Sequence, residues 1–284
     1  MAFTYVIEHM EDDEQTPAAI PPWVKLEYAH MRTLAGPGAQ IHFTSLSKSS
    51  SSFLSTEFQS TSESLADAQC HQLGILDLMK SHGISLDRVC LLDPKAEKAL
   101  SPEDGGGTFD WFLFGVRSPP FHILQSPFSQ STLLTLTAPV VHGSSGHSRY
   151  LSSSSLASPL SRLIDERTNE RRFRNPSDDC LCQFIGDDPP RDRTSELRVL
   201  GFPNRHLGPV QMTTDTALGV TKLVVQDKIP LEKIPYIDFP TIRFNAKESV
   251  EMPFRYVVEK DNEPKLPPGM RHLLHEDLNK SFDF

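Results

Sequence analysis

A serine- and proline-rich stretch, residues 116–183, is the feature that most restricts how this chain can fold. It holds 14 Ser, six Pro and seven Arg, no Lys, and a run such as Ser152-Ser-Ser-Ser155. Neither a helical nor a strand period of apolar residues persists through it, so it offers no continuous face to bury. Structureless stretches of this length are uncommon inside a compact domain. Both flanks, in contrast, carry short apolar runs that alternate with amphipathic segments. We therefore expect residues 1–115 and 184–284 to form one domain and residues 116–183 to be a disordered insertion.

The flanks read as alternating strands and helices. Strands are expected at 4–8, 41–46, 88–92, 109–114 and 234–238, with weaker ones at 197–200 and 204–207. Helices are expected at 22–34, 65–80, 96–100 and 213–228. Pro22 opens the first of them and Gly83 follows the second as a stop. Thr213, Thr214 and Asp215 are candidate caps for the last, whose apolar face carries Ala217, Val220 and Val224. Residues 47–64 are rich in Ser and Thr and read as a mobile loop. This alternation predicts an α/β fold with a mainly parallel sheet. Such sheets place ligands at the carboxyl ends of their strands.

Composition narrows the class. At 38% hydrophobic the chain can bury a core. No apolar run approaches the roughly 18–20 residues of a membrane span, and the N-terminus lacks a basic, apolar secretory leader. Four cysteines, Cys70, Cys90, Cys180 and Cys182, lack the paired spacing of a zinc site. A reducing, cytoplasmic setting and no metal are expected. The formal charge is −9, and removing residues 116–183 (seven Arg against five acids, +2) leaves −11. That balance opposes a sequence-independent grip on phosphates, so no direct nucleic-acid partner is expected. It suits a basic protein partner.

Three polar blocks stand beside apolar runs: Gly186-Asp-Asp-Pro-Pro-Arg-Asp-Arg-Thr194, Leu207-Gly-Pro-Val-Gln-Met-Thr-Thr-Asp-Thr-Ala217 and Glu251-Met-Pro-Phe-Arg-Tyr256. A loop needs Gly, Pro and Asp in some order, but not this density of Arg and Asp. Together with Tyr5-Val-Ile-Glu-His-Met-Glu11 and Val89-Cys-Leu-Leu-Asp-Pro94, the blocks resemble one small family. It is the yeast-type, fungal family of SPOUT-fold methyltransferases that methylate arginine on ribosomal protein S3. The resemblance covers most of residues 3–115 and 185–275. It implies a deep C-terminal trefoil knot, a monomer, and S-adenosyl-L-methionine bound in a bent shape between three knot loops.

Carried over by position, the first loop is Phe114, Gly115, Ile185, Gly186 and Asp187. The second is Leu207, Gly208, Gln211, Met212, Thr213 and Thr214. The third is Ile234, Pro235, Tyr236 and Ile237. In the family the strand Phe-x-Phe-Gly runs directly into the first loop. Here Phe112-Leu-Phe-Gly115 is cut off and Phe184-Ile-Gly-Asp-Asp188 resumes the motif. Val116 requires a codon beginning GT, and Gln183 can be encoded by CAG, the usual borders of an intron. The insertion is therefore expected to be a retained intron or a gene-model error.

Arginine is a poor nucleophile because its guanidinium stays charged, with a pKa above about 12. A carboxylate can bind the guanidinium fork and accept the released proton. Asp187, Asp188, Asp192 and Glu251 are candidates, with Glu8 and Glu11 behind them, and the residues alone do not rank Asp187 against Glu251. Asp192 can equally pair with Arg191 and Arg193, and Arg193 can steady the cofactor carboxylate. His9 and His206 border motifs and are expected to be hydrogen-bonded structural residues. Gly143-Ser-Ser-Gly-His147 lacks the strand–turn–helix setting of a nucleophile loop, and there is no phosphate-binding loop. Two other readings stay open: an RNA methyltransferase of the same fold, and a non-catalytic binding protein if the insertion splits the pocket.

Overall fold

Among the described residues, six strands form one parallel sheet whose four central strands are buried. A computed structural model describes residues 3–10, 14–15, 18–59, 65–115 and 194–280. The sheet contains β1 (Thr4–Glu8), β4 (Gln40–Thr44), β5 (Asp67–Cys70), β6 (Val89–Leu92), β7 (Trp111–Gly115) and β8 (Asn204–Arg205), ordered β5-β4-β1-β7-β6-β8. Every ladder in it is parallel. A two-stranded piece, β2 (Glu14–Gln15) with β3 (Ala18–Ala19), stands apart.

Side-chain alternation shows why these residues form this sheet. Tyr5 and Ile7 of β1, Cys90 and Leu92 of β6, and Phe112 and Phe114 of β7 enter one core. The intervening Val6, Val89, Leu91, Trp111 and Leu113 enter another. A strand with both faces covered reads as a continuous apolar run, as 89–92 and 111–114 do. Helix α1 (Pro22–Ala35) packs on α5 (Thr214–Val225), and both cover the first face together with Leu54 and Phe58 of α2 (Lys48–Gln59). Helices α3 (Ile75–His82) and α4 (Thr194–Val199) cover the second.

The C-terminal part adds antiparallel pairs. β9 (Tyr236–Asp238) pairs with β12 (Arg255–Val257), and β10 (Thr241–Arg243) pairs with β11 (Ser249–Glu251). With α6 (Met270–Lys280) they enclose a third apolar cluster, against which Trp23 and Leu26 of α1 pack.

Four local expectations are corrected. Residues 48–59 form a helix, not a loop: Leu54 and Phe58, one turn apart, are buried, and the Arg32 guanidinium lies 4.7 Å from the Phe58 ring centroid. Residues 65–80 are not one helix; β5 pairs with β4, and Gly74 then stands before α3. Residues 96–100 are turns joined by an Ala99–His206 bridge. Residues 194–199 are helical, with Leu197 buried and Val199 exposed. The expected stop holds: Gly83 is left-handed at φ 67°. Thr213 stands at the N-cap of α5 as expected but makes no side-chain capping bond. Thr213 donates from Oγ1 to Thr216 Oγ1 at 2.8 Å, and Asp215 turns to His30.

Candidate functional site

Strands β6, β7 and β8 end at one place, and a cavity of about 270 Å³ opens there. That is close to the lower bound of about 300 Å³ for small-molecule pockets. Its walls come from four pieces of chain. Leu92, Asp93, Pro94 and Lys95 follow β6, and Phe114 and Gly115 end β7. Thr194 and Arg198 project from α4. The loop after β8 and the start of α5 supply Leu207, Gly208, Val210, Gln211, Met212, Thr214 and Ala217.

Of the residues assigned to a cofactor from the sequence, the structure brings together Phe114, Gly115, Leu207, Gly208, Gln211, Met212 and Thr214 on this cavity. Thr213 is the buried N-cap of α5 and does not line it. Nor do Ile234, Pro235, Tyr236 and Ile237: Ile234 is buried in the main core, and Tyr236 and Ile237 pair with β12. Glu251 is exposed on β11 opposite Thr241 and is not a lining residue. Ile185, Gly186, Asp187, Asp188, Asp192, Arg193, Glu11 and the insertion lie outside the described residues.

Glu8, at the end of β1, is held by three hydrogen bonds. It accepts from Thr44 Oγ1 and Ser45 Oγ at 2.5 Å each and from the Ile75 amide at 3.0 Å. Those bonds tie β1, β4 and α3 together, which is a structural role. His9 shares a 2.8 Å hydrogen bond with the Tyr28 hydroxyl, and His206 Nδ1 accepts from the Gly208 amide at 3.0 Å.

Sequence reasoning missed the wall formed by Asp93, Lys95 and Arg198. Asp93 is fully buried, and its carboxylate accepts from Arg198 Nε and from Arg198 Nη2 at 2.7 Å. It also accepts from the Lys95 amide at 3.0 Å. This fork pins α4 to the end of β6, and Asp93, Arg198 and Lys95 form the charged side of the cavity wall. The signal available beforehand was Asp93-Pro94 standing where a parallel strand ends.

Behind the α5 side of the cavity lies a buried polar cluster. Asp215 Oδ2 is 2.7 Å from His30 Nδ1. Burial, reinforced by the nearby Asp215 charge, pushes the Glu27 carboxyl well above the ordinary carboxylate range. Burial also raises the Tyr256 phenol, again with Asp215 and Glu27 contributing.

A parallel α/β sheet with a mostly apolar cavity, edged by Asp93, Lys95 and Arg198, at the carboxyl ends of its strands defines the class: an α/β protein with a pocket of small-molecule size at the strand ends. The chain belongs to the family of SFM1-like protein arginine N-methyltransferases, whose sequence model matches residues 4–117 and 182–281. It is 32% identical, over 98% of its length and 97% of the relative's, to protein arginine N-methyltransferase SFM1 of Saccharomyces cerevisiae. Its structure is similar to that of the yeast arginine methyltransferase SFM1 complexed with SAM (TM-score 0.60, 29% identity, 98% of this chain and 92% of that one). It is likewise similar to the SAH complex (TM-score 0.58, 29% identity, 95% and 94%).

Proposed function

We propose that this chain transfers a methyl group from S-adenosyl-L-methionine to one arginine of ribosomal protein S3, acting as a cytoplasmic monomer with a knotted C-terminal region. The observation that carries the reading is the meeting of Phe114, Gly115, Leu207, Gly208, Gln211, Met212 and Thr214 on one cavity, in a chain of this family. The residues present suit the cofactor. Leu92, Phe114, Leu207, Met212 and Ala217 give an apolar slot for the adenine. Gly208, at φ +113°, holds a backbone turn that only glycine adopts without strain. Lys95 brings positive charge to the same wall, beside the Arg198–Asp93 pair. When bound, the cofactor supplies an electrophilic methyl group on a sulfonium.

The chain itself must orient a guanidinium behind that methyl and take up a proton. Asp187, Asp188 and Glu251 are the carboxylates assigned to this work, and Arg193 is assigned to the cofactor carboxylate. The family model pauses after 117 and resumes at 182, which supports treating residues between about 116 and 183 as foreign to the methyltransferase domain. The free thiols of Cys70 and Cys90 suit a reducing compartment.

The test is a methylation assay with tritiated cofactor and two substrates, ribosomal protein S3 and ribosomal RNA. Label on an S3 arginine is the expected result. Label on the RNA moves the activity to the other main class of this fold. Label on neither, with cofactor bound, leaves the fold and loses the substrate.

A further inference from the structure

Arg255 belongs to the Glu251–Tyr256 block, yet nothing in the sequence gives it a role. In the structure it touches two other segments at once, the 208–212 loop and β9. Its amide donates to the Gln211 carbonyl at 2.8 Å, and an isolated parallel bridge joins it to Met212. Its guanidinium donates from Nε to Asp238 Oδ1 at 2.6 Å and from Nη2 to Asp238 Oδ2 at 2.8 Å. The same guanidinium lies over the Tyr236 ring, 4.8 Å from the centroid. A Cβ placed on Gly208 would stand 3.6 Å from Arg255 Nη1. Gly208, Gln211 and Met212 line the cavity, and Arg255 does not.

An exposed ion pair contributes little by itself. This pair differs in three respects. The Arg255 side chain is 18% exposed, against 37% for Asp238. Its fork is bidentate, which adds geometric restraint to charge. The ring below it closes the remaining face. The guanidinium is thus held by Asp238 and Tyr236 beside Gly208, while the Arg255 amide holds Gln211.

We propose that Arg255 is a positioning residue that sets cofactor affinity, by clamping the 207–212 wall of the cavity to the β9–β12 pair. The segment 234–238 thus acts on the cofactor through Arg255, without lining the cavity itself. The inference rests on the reading of this cavity as the cofactor site. The amide bond to Gln211 survives any side-chain change at 255, so the loss on substitution is graded and not complete.

The experiment compares the full chain with Arg255→Met, Arg255→Lys, Asp238→Asn and the Arg255→Met/Asp238→Asn pair. Calorimetry reads S-adenosylhomocysteine affinity, kinetics read kcat and the cofactor KM, and thermal melting reads the fold. Arg255→Met is expected to weaken binding and raise the cofactor KM by roughly tenfold to a hundredfold, the range for hydrogen bonds to charged groups. Its kcat at saturating cofactor should stay within about threefold. Arg255→Lys keeps the charge but loses the fork and should recover only part of the affinity. Asp238→Asn should add little on top of Arg255→Met, because both remove one interaction. Affinity within twofold of wild type for Arg255→Met overturns the inference. So does a fall in kcat at unchanged cofactor KM, or a parallel fall of melting temperature and both kinetic constants. If the unaltered chain binds no S-adenosylhomocysteine, the cofactor reading fails and this inference with it. If Gly208→Val loses binding while Arg255→Met keeps it, the inference alone fails.

Discussion

Asp215 Oδ2 lies 2.7 Å from His30 Nδ1, with 1% and 5% of the two side chains exposed. The pair ties the first turn of α5 to the middle of α1, directly behind the cavity residue Thr214. Removing one partner of a buried hydrogen-bonded pair leaves the other unsatisfied, which costs about 1–3 kcal/mol. Asp215→Ala should therefore destabilise the protein by that amount in urea unfolding, and Asp215→Asn, which keeps an acceptor for His30, by clearly less. Equal losses for the two would show that packing, not the polar contact, holds the helices together.

Acid sensitivity should come from the other face of the sheet. His42 Nδ1 is 2.9 Å from His71 Nε2, and His42 stacks on Trp111 with its ring 5.4 Å from that of His82. Burial, then the His71 and His82 charges, push the His42 pKa down to about 4, with Asp67 opposing. His71 is lowered as well. The unfolded chain then binds protons more readily than the folded one. Stability is fully present above about pH 6.5 and is lost as pH falls toward 4, by up to about 3 kcal/mol for a shift of this size. His42→Phe should flatten that part of the profile. A variant with the unchanged acid slope would place the sensitive group elsewhere.

Much of this architecture is written in the sequence, and the exceptions have physical causes. The runs Val89–Leu92 and Trp111–Gly115 announce strands covered on both faces, and the period of Ala217, Val220 and Val224 announces α5. Helix α2 is hidden because four consecutive serines lower its local preference, and only the burial of Leu54 and Phe58 against the core restores it. The corrected 65–80 segment turns on Gly74, where a Cβ would stand 3.2 Å from Glu8 Oε1, a contact made by a distant strand. The gathering of Leu207, Gly208, Gln211, Met212 and Thr214 on the cavity was legible because those residues are close in sequence. Asp93 and Arg198 are 105 positions apart, so their meeting depends on the tertiary fold. Arg255 was invisible for the same reason: its partners sit on two other segments.

Gly208 offers a direct probe of the cavity. A Cβ there would meet only ordinary van der Waals contact, so crowding within the protein is slight. The φ of +113° is the obstacle, since a β-branched residue is strongly disfavoured there. Gly208→Val should rearrange the loop and abolish measurable cofactor binding. Gln211→Ala keeps the backbone and should weaken binding by less than about tenfold, the worth of a lost hydrogen bond. Similar losses in the two variants would contradict a site built from the loop backbone.

The chain lacking residues 116–183 should fold and bind cofactor more tightly than the full chain. Closing a long flexible loop costs only about 1–3 kcal/mol, so the domain tolerates the insertion. The chain that follows Gly115, assigned from the sequence to the first cofactor loop, is where the effect should appear. Calorimetry on both chains reads it directly. Equal affinity would mean that the insertion leaves the cavity undisturbed, and peptides from 116–183 in a digest of the native protein would dispose of the intron reading.

Glu251 and Asp187 divide the question of which carboxylate meets the arginine. Glu251 sits exposed on β11, with Met252 buried beside it and Pro253 fixing the backbone that follows. It is free of the cavity wall, so a role for it requires the substrate to bridge from the cavity to the β10–β11 pair. Glu251→Gln keeps the shape and removes the charge. If this carboxylate holds the guanidinium, methyl transfer should slow by roughly 10²–10⁴, the range for a lost general base, while cofactor affinity stays constant. Asp187→Asn, assayed beside it on a peptide of ribosomal protein S3, is the rival. Slow transfer in the Asp187 variant alone assigns the first loop. Near-normal transfer in both would end the carboxylate mechanism and leave the guanidinium oriented by groups other than these two.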